Sequence, residues 1–120
     1  MQPEQRDAAY LWDMLEAARE ALSFTQEATR DSYLESPLLQ RAVERTIEII
    51  GEAANRISPA LREAHPEIPW RKIVAQRNVL AHEYGDIEQV LLWDLIRDHL
   101  PVLVRQLEQI IPPEPREPEA

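Results

Sequence analysis

Four polar side chains gather toward the end of one predicted helix: Arg77, Asn78, His82 and Tyr84, all between Pro69 and Gly85. Histidine titrates near neutrality and can shuttle a proton. Arginine can hold a phosphate and stabilise the charge that builds on it in a transition state. Asn78 could orient either the imidazole or a scissile phosphate. These types together suit chemistry on a phosphodiester. No carboxylate falls at ligand spacing on that face, because Glu83 points elsewhere. Neither a metal nor a cofactor is therefore expected.

The element that must present these groups is a helix closed by Gly85, which can take the left-handed conformation at a helix end. Trp70, Ile73, Val74, Leu80, Ala81 and Tyr84 recur at the helical period and define an apolar stripe. Arg77 falls inside that stripe, where a charge is costly unless it is paired or hydrogen-bonded. Asn78 and His82, four residues apart, share a neighbouring face with the earlier Arg71. Arg77 and His82 are five residues apart, which rotates them by about 140° on an ideal helix. One long side chain could bridge that angle; two copies facing each other across a symmetric dimer would bridge it better. A single histidine also cannot serve as acid and base at once, which favours two copies or a substrate-assisted step.

The rest of the chain reads as helices around this one. A first helix is expected from about Asp7 to Thr29, burying Tyr10, Leu11, Met14, Leu15, Ala18, Ala21, Leu22 and Thr25. Arg30 to Glu35 reads as a connection, with Tyr33 and Leu34 tucked onto the core. Ser36-Pro37 gives a cap and a first-turn proline for a second helix, Pro37 to Ile57. That helix buries Leu39, Val43, Ile47, Ile50, Ala54 and Ile57. Its other side carries Arg41, Glu44, Arg45, Glu48, Glu52 and Arg56, which can pair along the helix; alternatively Glu48 or Glu52 partners Arg77 or a second subunit. Gly51, Ala53 and Ala54 permit a close helix contact.

Ser58-Pro59 repeats the start signal for a short helix, Pro59 to Ala64. His65 to Pro69 then forms an elbow stiffened by two prolines, with no role assigned to His65. Asp86 and Gln89 resemble a capping pair for a last helix. It buries Val90, Trp93, Ile96, Leu100, Leu103, Leu107 and Ile110, with a kink at Pro101. The expected architecture is all-α: an antiparallel, dimeric bundle of four main helices plus a short one. It occupies residues 1–111, followed by a disordered Pro/Glu-rich tail over residues 112–120.

Composition narrows the possibilities. A chain of 120 residues is one domain with room for one core. Two glycines and one phenylalanine, against many Leu, Ile, Ala, Glu and Arg, favour helices over sheet. No apolar run is long enough for a membrane span, and the first residues lack a signal-peptide layout. With no cysteine, there is neither a disulfide nor a thiolate site, and a cytoplasmic location is expected. The net charge of −9 argues against a generic nucleic-acid binder. Residues 37–82, however, hold seven basic and five acidic residues, net +2, so a local basic surface around the central helix is compatible with an acidic whole.

At this point a resemblance emerges. Arg77-x4-His82-x-Tyr84 resembles the R-x4-H-x-Y signature of the HepT-like HEPN toxins. Three further blocks, Tyr10-Leu-Trp-Asp13-Met-Leu, Ile49-Ile-Gly51-Glu52-Ala-Ala-Asn55-Arg56 and Ile68-Pro-Trp70-Arg-Lys-Ile73, are also similar to that family, in the same order. The resemblance covers roughly residues 7–110. It implies a helical bundle that dimerises, two motifs forming one cleft, and metal-independent RNA cleavage. In that reaction Arg77, His82 and the polar Asn78 promote attack of a 2′-hydroxyl on the adjacent phosphate. It also implies a nucleotidyltransferase antitoxin as partner, able to transfer AMP from ATP onto Tyr84, and a homodimer that can sit within a larger hetero-oligomer.

Two rival readings use the same residues. In one, the domain is a non-catalytic nucleotide- or substrate-binding partner subunit of a minimal nucleotidyltransferase, with Arg77 and His82 holding the nucleotide. In the other it is a dimeric structural protein. There His82 satisfies the last helix carbonyls, Tyr84 is a core aromatic and Arg77 is a buried structural arginine.

Overall fold

A computed structural model describes residues 3–82 and 89–112 of the chain, with side chains described over residues 6–76 and 89–112. Among the described residues there are helices and no strands. In chain order they are α1 (Pro3–Phe24), α2 (Arg30–Leu34), α3 (Pro37–Arg56), α4 (Pro59–Ala64), α5 (Trp70–His82) and α6 (Gln89–Asp94). A π-helical turn (Leu95–His99) then leads into α7 (Leu100–Ile110). The all-α expectation is met. The segment from residue 113 on lies outside the described residues, and most of the expected tail with it.

Among the described residues the seam between α1 and α3 is the most extensive, followed by that between α3 and α5. Leu11, Met14, Leu15, Ala17, Ala18 and Ala21 of α1 are buried against Val43, Ile47, Ile50, Ala53 and Ala54 of α3. Each large aliphatic side chain buried in this way contributes about 1.5–3 kcal/mol. The alanines, with Gly51 buried among them, let the two backbones approach closely. α7 closes the other side of α1 in antiparallel sense: Trp12 Nε1 donates to the Pro112 carbonyl at 3.1 Å, and Arg19 pairs with Glu108 at 2.8 Å.

The helix starts read from Ser-Pro pairs hold. Ser36 accepts from the Leu39 N–H and Ser58 from the Leu61 N–H, each with proline in the first turn. The first helix differs from expectation, starting at Pro3 and ending at Phe24 rather than Thr29. Past Phe24 the chain turns, with the Thr25 hydroxyl donating back to the Ala21 carbonyl at 2.8 Å. Thr29 then caps a new helix reciprocally: it accepts from the Ser32 N–H, and the Ser32 side chain accepts from the Thr29 N–H. The expected connection, Arg30 to Glu35, is thus mostly a short helix, α2, with Tyr33 fully buried on the core.

Pro101 does distort the last helix, through a π turn rather than a simple kink. Proline has no N–H and its ring crowds the carbonyl four residues back. The wider turn at Leu95–His99 relieves this, and the Leu100 N–H reaches the Leu95 carbonyl five residues back.

Candidate functional site

α5 begins at a rigid corner. The His65 N–H donates to the Leu61 and Arg62 carbonyls, and the Ile68 N–H donates to the His65 carbonyl. Trp70 Nε1 also donates to the His65 carbonyl, at 3.0 Å, which pins the first residue of α5 over the elbow. Arg62 reaches back to the Ala54 carbonyl at 2.8 Å, tying α4 to the end of α3. From α7, Gln106 donates to the Glu67 carbonyl at 3.0 Å. His65 therefore serves the turn through its backbone, while its ring lies 3.5 Å from the Glu67 carboxylate. Trp70 and Ile68 are buried, so the corner is packed as well as hydrogen-bonded.

From this corner α5 runs along α3, with Ile73 and Val74 packed against the core. Arg71, Lys72 and Ala75 are exposed on its outer side. Arg77, Asn78 and His82 all fall in its second half, on one unbroken helix. The register separates Asn78 from His82 by about 40° and 6 Å along the axis, and Arg77 from His82 by about 140°. Their side chains are outside the described set. Tyr84, Gly85 and Asp86 lie outside the described residues altogether, and with them the glycine stop and the N-cap half of the expected capping pair.

Gln89, the other half of that pair, engages two side chains of the bundle. Its Oε1 accepts from the Tyr33 hydroxyl at 2.6 Å and its Nε2 donates to Glu44 at 2.7 Å. The start of α6 is thereby held to α2 and to the N-terminal half of α3. Glu44 also pairs with Arg41 at 3.2 Å. Burial, and then the nearby Glu44 carboxylate, push the Tyr33 phenol well above its ordinary value of 10. Trp93 packs beside Tyr33, ring centroids 5.3 Å apart, and Arg97 stacks on Trp93 at 4.3 Å while donating to the Ala28 carbonyl. Nothing in the local sequence pattern points to this polar cluster; its members are brought together by the fold.

The charged side of α3 forms pairs along the helix: Arg45 with Glu48 at 3.4 Å and Arg56 with Glu52 at 3.7 Å, besides Arg41 with Glu44. Glu48 and Glu52 are thus engaged on their own helix. Beside them Tyr10, Asp13, Ile49, Glu52, Ala53 and Arg56 line a shallow depression, and partial burial there raises the Asp13 carboxyl above its usual range. A larger open groove of about 570 Å³ runs between α5 and α7, floored by Ile47, Ile50 and Ile73 and edged by Lys72, Gln76 and His99. Among the described residues no group of His, Cys, Asp and Glu is arranged to hold a metal ion, and no helix is long and apolar enough to cross a membrane.

Residues 14–110 match the family described as ribonuclease HepT-like. A Methanocaldococcus jannaschii protein provisionally named an RNase is 35% identical over 100 residues, spanning 83% of this chain and 92% of that protein. A Thermococcus cleftensis protein named as a probable ribonuclease HepT is 36% identical over 101 residues, 84% of this chain and 92% of the relative. No solved structure matches the chain.

Proposed function

The chain belongs to the HepT-like ribonuclease family, and from that premise we propose that it is a metal-independent endoribonuclease, the toxin of a toxin–antitoxin pair. The observation that carries this reading is the family match over residues 14–110, which spans all of α5 and the Arg77-x4-His82-x-Tyr84 motif. In the proposed reaction His82 removes the proton of a 2′-hydroxyl, and that oxygen attacks the adjacent phosphorus. Arg77, with Asn78, stabilises the charge gathering on the phosphate oxygens. The bond from phosphorus to the 5′-oxygen breaks, and that oxygen takes a proton from His82 of the partner subunit. The products are a 2′,3′-cyclic phosphate and a 5′-hydroxyl end. A homodimer supplies the second histidine, and a nucleotidyltransferase antitoxin silences the enzyme by placing AMP on Tyr84.

The test is cleavage of RNA by the purified chain, with and without EDTA, by wild type and by His82→Ala. Cleavage that persists in EDTA, leaves cyclic phosphate ends and vanishes in His82→Ala, with the helical circular dichroism spectrum unchanged, supports the reading. Undiminished cutting by His82→Ala, or loss of wild-type activity on chelation, refutes it.

A further inference from the structure

An RNA substrate must approach a protein of net charge −9, so its phosphates need a locally cationic path. The arginines of α3 do not supply one: Arg41, Arg45 and Arg56 are each paired with a glutamate on the same helix. At the start of α5 the situation is reversed. Arg71 and Lys72 are exposed, and neither forms an ion pair among the described residues. They border an open groove of about 530 Å³ at the proline elbow, together with Arg62, whose guanidinium is held on the Ala54 carbonyl. Glu63 lines the same groove, and Glu67 beside it lies against His65.

The helical register links this cationic end to the motif. Positions 71, 75, 78 and 82 follow one another at intervals of four, three and four, so they form a single stripe on α5. Arg71 precedes Asn78 by about 10 Å and His82 by about 16 Å along the axis. Between them stands Ala75, small and exposed, which leaves room for a sugar-phosphate backbone to lie close to the helix. The elbow fixes the cationic end in place through the Trp70 and His65 contacts, so the spacing does not depend on a mobile loop.

We propose that Arg71 and Lys72 form a phosphate-binding track that seats single-stranded RNA a few nucleotides away from the bond cut at the Arg77–His82 motif. This inference rests on the ribonuclease reading for its ligand, yet it concerns binding and is measurable apart from cleavage. The track positions substrate and takes no part in the reacting atoms.

The experiment titrates the full chain into a fluorescent, cleavage-resistant 2′-O-methyl RNA oligonucleotide across a range of salt concentrations. It compares wild type, Arg71→Gln, Lys72→Gln, the double variant, and Arg105→Gln as an exposed cation elsewhere on the surface. Each lost phosphate contact should lower the slope of log affinity against log salt by about 0.7 and weaken binding about 5-fold at 0.1 M salt. Arg105→Gln should change neither. With cleavable RNA the double variant should raise KM while kcat at saturation stays near wild type. Equal affinity and salt slope in wild type and double variant overturn the track, as does an equal loss in Arg105→Gln or a wild type that binds no RNA. If the chain binds RNA through Arg71 and Lys72 but never cuts it, the track stands and the ribonuclease reading falls. If it cuts RNA and the double variant is unaffected in KM, the ribonuclease reading stands and the track falls.

Discussion

The Tyr33 hydroxyl donates to Gln89 Oε1 at 2.6 Å, across 56 residues of sequence. This bond joins the short helix α2 to the first residue of α6, the first described residue after the motif helix and the segment that follows it. The Tyr33 ring is fully buried, and Gln89 is further held by Glu44. The anchor therefore fixes the start of α6 against α2 and α3.

Removing the anchor should loosen the start of α6. Tyr33→Phe leaves the Gln89 carbonyl oxygen without its donor and should lower stability by about 1 kcal/mol, read from urea unfolding. The same phenol sets an alkaline limit. Its folded-state pKa is raised above the ordinary 10, so the stabilisation is complete below pH 10 and is lost as pH rises beyond it. In an absorbance titration one of the three tyrosines should ionise only together with unfolding, and Tyr33→Phe should abolish that late step. A Tyr33 phenol that titrates near pH 10 in the folded protein would contradict the anchor.

A second tie secures the opposite end of the bundle. Asp7 of α1 accepts from the Ser58 N–H at 2.9 Å and from the Ser58 hydroxyl at 2.6 Å, while Ser58 caps α4. Asp7→Ala should cost about 1–2 kcal/mol, because it takes away one partner of a capping residue and leaves a partly buried N–H unpaired. Thermal unfolding should register a drop of several degrees. An unchanged midpoint would mean that water replaces the carboxylate at no cost.

Local rules made much of this architecture legible. Ser36-Pro37 and Ser58-Pro59 announce α3 and α4 because a cap and a first-turn proline act within one turn of chain, and α4 spans Pro59–Ala64 as expected. The apolar period of the first helix marks Tyr10, Leu11, Met14, Leu15, Ala18, Ala21, Leu22 and Thr25 as core, and all are buried but Tyr10 and Leu22, which are partly buried against it. What escaped the sequence is of two kinds. α2 is only five residues long and its capping box closes with Ser32 in place of the usual Glu or Gln, so it has neither period nor signature. The Tyr33–Gln89–Glu44 cluster unites residues distant in sequence, which no window can reveal. The motif helix itself was legible from its start after Pro69, because the apolar period begins at Trp70.

The proposed dimer has a direct test. Arg77 and His82 are about 140° apart around α5, so the proposed cleft draws on the motifs of both subunits. Arg77→Ala and His82→Ala should each be inactive alone. Wild type mixed with His82→Ala reports on the pairing. After unfolding and refolding an equal mixture together, about half of the dimers are mixed, and each lacks one of the two histidines that serve as base and acid. Cleavage should fall to about half that of the same proteins refolded apart. Light scattering should show dimers throughout. Cleavage equal to that of the separately refolded proteins would place a complete site within one subunit; a strict monomer at micromolar concentration would remove the dimer itself.

Regulation is proposed to act on the same cleft through Tyr84, two residues beyond His82. In the modification the phenol oxygen attacks the α-phosphorus of ATP, the new oxygen–phosphorus bond forms, and pyrophosphate leaves with the β-phosphate bond pair. The protein gains one AMP per event and loses the phenolic proton. An added phosphodiester carries a negative charge, which competes for the cationic groups that an RNA phosphate needs, and the nucleoside obstructs entry. Modification should therefore silence cleavage without unfolding the bundle. Tyr84→Phe should still cut RNA but escape neutralisation by a cognate nucleotidyltransferase supplied with ATP. Intact-mass spectrometry after co-incubation should show gains in whole units of AMP on wild type and none on Tyr84→Phe, while the helical circular dichroism signal stays constant. A gain that survives in Tyr84→Phe, or a modified protein that cuts RNA at the unmodified rate, would assign the silencing to another residue or another mechanism.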